Sequence, residues 1–115
     1  MSDEHELKKG TTPLLILAVL AEGPRHGYAI AREVERRSQE ALRLGEGALY
    51  PALRALEREK LVVGTWEVQP SGPARRVYAI TDEGRKKLAK QVDAWRSLVD
   101  AVGRVIGGAP HGQPA

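Results

Sequence analysis

Between Leu61 and Val62 the apolar repeat of this chain changes from a helical period to an extended one. Upstream, Leu49, Leu53 and Leu56 recur at four and three residues with Ala52 beside them, which puts one apolar stripe on a helix. Downstream, Val62, Gly64, Trp66 and Val68 alternate with Val63, Thr65, Glu67 and Gln69, as a strand with two unlike faces does. Pro70-Ser71-Gly72-Pro73-Ala74 is a turn, and Arg75 to Ile80 reads as a returning strand. Residues 62–80 are therefore expected to form an antiparallel hairpin. Two short strands are marginal alone, so the hairpin must pack on helices.

Those helices are legible on both sides. Thr12-Pro13 offers an N-cap followed by proline at the first helical position. Leu14 to Ala21 is apolar almost all round, as in a helix buried between neighbours, and Glu22-Gly23-Pro24 stops it. A second helix is expected from about Gly27 to Ser38, with Tyr28, Ile30, Ala31 and Val34 inward and Glu33 attracting Arg37 one turn away. The third helix, which carries the leucine stripe, begins near Gly47. Pro51 then falls in or just beyond its first turn, where a missing N–H matters least.

Thr81 caps a fourth helix, with Asp82 and Glu83 in its favourable first turn. Along it Leu88, Val92, Trp95, Val99, Val102 and Ile106 follow at steps of four, three, four, three and four. Three short helices and a hairpin have little left to cover so long a seam. A second copy of the chain is the simpler cover. Residues 1–10 read as a loose lead-in, and 107–115 as a disordered tail beginning at Gly107-Gly108-Ala109-Pro110.

With 115 residues, 42% of them apolar and 29% charged, the composition is that of a globular protein. Cysteine is absent, which excludes a disulfide framework and a thiol nucleophile and suits the cytoplasm. The longest apolar run is far short of the ~20 residues that a bilayer needs, so no membrane association is expected. His5, His26 and His111 are scattered, and no phosphate loop, paired carboxylates or activated nucleophile stands out. Neither metal, cofactor nor enzymatic activity is expected. The net charge is +3, yet residues 70–90 alone carry six basic against two acidic side chains. Such a concentration suits a polyanion partner, or simply a solubilising patch.

Three helices followed by a hairpin is the order of a winged helix-turn-helix: mainly α with a small β-hairpin, here extended by a C-terminal helix. In that arrangement the third helix enters the major groove of DNA and the wing reaches the backbone or minor groove. The face of the third helix opposite its leucines carries Tyr50, Arg54 and Arg58, with Pro51 beside Tyr50, and the far end of the hairpin carries Arg75 and Arg76. Both features are expected to meet one duplex. A winged helix that serves only protein contacts, its basic tip facing an acidic partner, is the alternative.

HGYAI at 26–30, GALYPALRALEREKLV at 47–62 and RRVYAITDEGRKKL at 75–88 resemble the PadR family of transcriptional regulators over roughly residues 10–106. The resemblance implies a dimeric winged-helix repressor, with residues 1–80 as the DNA-binding domain and 81–106 as the dimerisation helix of a short subfamily. By that resemblance Tyr50, Pro51 and Arg54 fall on the recognition helix and Arg75 and Arg76 on the wing; with Tyr28, Gly47 and Arg58 they make up the expected DNA contacts, on an inverted-repeat operator. The implied dimer seam is Leu88, Val92, Trp95, Val99, Val102 and Ile106. Multidrug-binding members carry a tryptophan near the position of Trp95, where flat aromatic effectors stack; Leu14 and Val99 are its expected companions. Two departures stand out: Gly45 replaces a common capping hydroxyl, and Lys60 replaces a common glycine.

Overall fold

The computed structural model describes residues 5–6 and 10–107. Its elements run β1 (His5–Glu6), α1 (Thr12–Leu20), β2 (Arg25–His26), α2 (Gly27–Arg37), β3 (Leu42–Arg43), α3 (Glu46–Arg58), β4 (Val62–Glu67), β5 (Arg75–Ile80) and α4 (Asp82–Val105). The all-round apolar character of α1 follows from its place: it touches α2, α3 and α4, and buries Ile16, Leu17, Val19 and Leu20. Ile30 and Val34 from α2, and Leu49, Leu53 and Leu56 from α3, close the core around it with Leu44, Leu61, Val62 and Tyr78. Helix α1 begins one residue earlier than its capping pattern suggests, with Thr11 at the N-cap and Thr12 buried in the first turn.

The hairpin forms in the expected register parity. Val62 lies opposite Ile80, Gly64 opposite Tyr78 and Trp66 opposite Arg76, so these six residues share the face turned towards the core. The sheet also has a third strand. Arg25 and His26 pair with Tyr78 and Val77, which makes β5 the central strand. A second departure concerns the lead-in: His5–Glu6 pairs in parallel with Leu42–Arg43.

Helices α2 and α3 end in the same device. After α3, the Lys60 N–H donates to the Glu57 carbonyl and the Leu61 N–H to the Leu56 carbonyl, both at 3.0 Å, with Lys60 at φ 62°. After α2, Gln39 and Glu40 make the equivalent pair of bonds to Arg36 and Glu35 at φ 53° and 67°. This is the Schellman arrangement, which satisfies terminal carbonyls but requires a left-handed residue. Lys60 therefore occupies, at some strain, a backbone conformation that glycine adopts freely.

Helix α4 is fastened at its start. The Thr81 hydroxyl accepts from the Gly84 N–H at 3.0 Å and donates to the Lys60 carbonyl at 2.7 Å, while the Thr81 N–H donates to the Leu61 carbonyl at 3.0 Å. Leu88, the first residue of the heptad seam, packs against the chain's own core. Farther along, Trp95, Leu98, Val99, Val102, Val105 and Ile106 are all exposed. At about 1.5 Å per residue this helix is about 36 Å long, which accounts for much of the 55 Å long axis. Gly107, at φ 79°, ends it; residues 108–115 of the expected tail, with His111, lie outside the described residues. No described helix is long and apolar enough to cross a membrane.

Candidate nucleic-acid interface

Helix α3 starts at Glu46 with Gly45 as its N-cap, so no side chain caps it, and the Glu46 carboxylate faces the positive helix end. Pro51 is consequently one residue deeper than the sequence suggests, in the second turn. The N–H that it lacks would have bonded the Gly47 carbonyl. Gly47, Pro51, Arg54 and Arg58 are all exposed, and their spacing of four, three and four lays them along a single stripe. That stripe lies opposite Leu49, Leu53 and Leu56, as the apolar period requires.

Tyr50 departs from the stripe. It is half-buried, and a methyl group placed on Gly27 would lie 2.8 Å from its Oη, so its ring sits directly over the first residue of α2. Gly27 is there because only a residue without Cβ leaves space for that ring. Tyr28 next to it, expected to face inward, is instead 65% exposed, and the Arg32 guanidinium lies 5.7 Å from its ring centre. Tyr28, Arg32, Glu35, Gly45, Glu46 and Tyr50 are among the residues lining a groove of about 520 Å³ between α2 and the start of α3. Arg32 was not singled out from the sequence, although its position one turn beyond Tyr28 was a usable signal.

The wing corrects the expectation of a single basic tip. Consecutive residues on a strand point to opposite faces, so Arg75 and Arg76 diverge. Arg75 lies on the outer face and pairs with Glu67 at 3.2 Å. Arg76 turns towards α3, where its Nη2 meets the Glu57 carboxylate at 2.7 Å, and its guanidinium lies 5.5 Å from the Trp66 ring and 6.0 Å from that of Tyr78. Residues 68–74, which form the tip itself, are uncharged. The hydrogen bond to Glu57 raises the Arg76 pKa above its ordinary value; burial, then the Glu57 charge, pushes the Tyr78 phenol up. No local pattern marks Glu57 as a partner, because Arg76 lies 19 residues further on.

A second cluster braces the helix-turn-helix. Glu33 receives hydrogen bonds from Arg36 and, at 2.8 Å, from Arg37, and Arg25 approaches it to 4.0 Å. The two hydrogen bonds hold its pKa at about 2, down from 4.5. Arg37 also pairs with Glu22 at 2.8 Å, tying α2 to the end of α1. On α4, Trp95 is 48% and Val99 50% exposed, whereas Leu14 is half-buried on α1.

The profile of the transcriptional regulator PadR-like family matches residues 16–90. A transcriptional regulator from Mycobacterium tuberculosis is 34% identical over 107 residues, spanning 93% of this chain and 94% of its own length. Among solved structures, a PadR family transcriptional regulator from Eggerthella lenta superposes with a TM-score of 0.74 at 31% identity, covering 87% of this chain and 85% of the other. One from Clostridium difficile gives the same score and identity, covering 85% and 100%. From fold, motif and relatives together, this chain belongs to the PadR-like family of transcriptional regulators and has its winged-helix fold.

Proposed function

We propose that the protein is a cytoplasmic homodimeric repressor that binds double-stranded DNA at an inverted repeat. The carrying observation is the pairing of two surfaces: the exposed stripe Gly47, Pro51, Arg54 and Arg58 on α3, and the exposed apolar row from Trp95 to Ile106 on α4. Arginines on an exposed helix face suit base edges, where each bidentate contact contributes about 1–3 kcal/mol of discrimination. Tyr28 and Tyr50, at the groove beside the start of α3, suit the flanking phosphates, and Arg75 on the outer wing face suits the next stretch of backbone.

An apolar row of six exposed side chains on one helix favours burial against a second copy through the same row. Two-fold pairing would set the two α3 helices to read half-sites about 34 Å apart. Trp95 and Val99 in that row, with Leu14 on the adjacent α1, are the proposed contacts of a flat aromatic effector that alters DNA affinity.

The test is selection of bound duplexes from a random pool, followed by titration of wild type, Arg54→Ala and Arg75→Ala against the selected and a scrambled duplex over a range of salt. Arg54→Ala should weaken the selected duplex by about 1–3 kcal/mol and leave the scrambled one nearly unchanged. Arg75→Ala should weaken both equally and flatten the salt slope by about 1. No binding by wild type at low salt would remove the DNA reading altogether.

A further inference from the structure

Four observations converge where the wing leaves the core. The outer rungs of the hairpin have no apolar anchor: Val62 and Tyr78 are its buried residues, while Trp66 is 67% and Val68 85% exposed. At the boundary between the anchored and free halves, Glu57 of α3 meets Arg76 of β5. Strand β4 lies beside this bridge and leaves room for it at one residue, Gly64. A methyl group there would stand 2.6 Å from the Arg76 Nε and 3.0 Å from the Glu57 Oε2. The Trp66 and Tyr78 rings then flank the guanidinium. The guanidinium is thus held by a carboxylate from α3, a ring and a missing side chain from β4, and a second ring from its own strand β5.

We propose that Arg76 is a positioning residue, a strut to Glu57 that sets the angle between the wing and α3, and that it does not itself contact DNA phosphate. This rests on the DNA reading above and deepens it: selective binding requires α3 and the wing to engage one duplex together, which a loose wing would not do. A half-buried ion pair with stacked rings is directional enough to set that angle, whereas an exposed pair such as Arg75–Glu67 is screened and weak. Glu57 provides the sharper test, because it places a negative charge on α3, the helix proposed to enter the groove. If charge alone mattered, removing it would strengthen binding to any duplex.

The experiment compares wild type, Glu57→Gln, Arg76→Gln and the double variant against the wild-type-selected duplex and a scrambled one. Backbone 15N relaxation of residues 63–77 is measured in the free proteins. The strut predicts that each single variant loses about tenfold on the selected duplex with an unchanged salt slope, and that the double variant loses no more than either single. It also predicts greater nanosecond mobility of the wing in all three variants. Tighter binding of both duplexes by Glu57→Gln would overturn the proposal, as would a salt slope lowered by about 1 in Arg76→Gln. Unchanged wing relaxation would overturn it in the free protein, separately from any failure of the DNA reading.

Discussion

Gly84→Ala isolates the contact that fastens α4 to the rest of the molecule. A methyl carbon at this position would stand 2.1 Å from the Leu61 carbonyl oxygen and 2.7 Å from the Ile80 Cγ1. The first distance is about 1 Å inside van der Waals contact, and its partner is backbone at the α3–β4 junction, which cannot swing aside. Relief requires α4 to shift away, at the typical overpacking cost of about 1–3 kcal/mol. Such a shift also stretches the Thr81 bonds to the Leu61 and Lys60 carbonyls, each contributing a net ~1 kcal/mol. Alanine recovers at most about 1 kcal/mol through helix propensity, less in a first turn. The balance is a loss of about 2–4 kcal/mol. Urea unfolding followed by far-ultraviolet circular dichroism, at one fixed protein concentration, reads it directly. A variant as stable as wild type, or more stable as helix propensity alone demands, would refute the close-approach argument. It would also leave the glycine in Tyr78-Ala79-Ile80-Thr81-Asp82-Glu83-Gly84 without a physical reason.

Lys60→Gly should stabilise the protein by about 0.5–1 kcal/mol in the same assay, since it relieves a left-handed residue in the α3 terminus. Val99→Asp places a charge in the proposed dimer seam, and sedimentation equilibrium should show dimerisation weakened by at least about 100-fold, toward monomer. Glu33 is held at about 2 in the fold against an ordinary 4.5, so the stability it contributes is complete above about pH 4.5 and disappears as pH falls through 2. Urea midpoints measured across that window should fall less in Glu33→Gln than in wild type. If Trp95 forms an effector site, a dye such as a planar aromatic cation should quench wild-type fluorescence but bind Trp95→Ala at least about tenfold more weakly, with Trp66 as the common background.

Where periodicity is local, the amino-acid sequence sufficed. The leucines of α3 show which of its faces is buried, and the same period leaves Gly47, Pro51, Arg54 and Arg58 together on the other. Alternation along β4 and β5 likewise determines which wing residues share a face, but that Arg75 and Arg76 do not form one tip emerged only with the separate ion pairs that each makes. The heptad along α4 is explicit from Leu88 onward, and its exposed part begins past the residues that rest on the core.

Contacts between distant segments are a different matter. Arg25–His26 is a two-residue strand, too short to have a period, and exists because β5 offers a free edge beside it. Tyr50 looks like part of a polar helix face until α2 brings Gly27 beneath its ring. The Glu57–Arg76 bridge spans 19 residues, and its geometry depends on a glycine in a third element. A helix or strand announces its own buried face because burial acts on residues a few positions apart. Which charge meets which, and which glycine must remain bare, is decided only when separately encoded surfaces are pressed together.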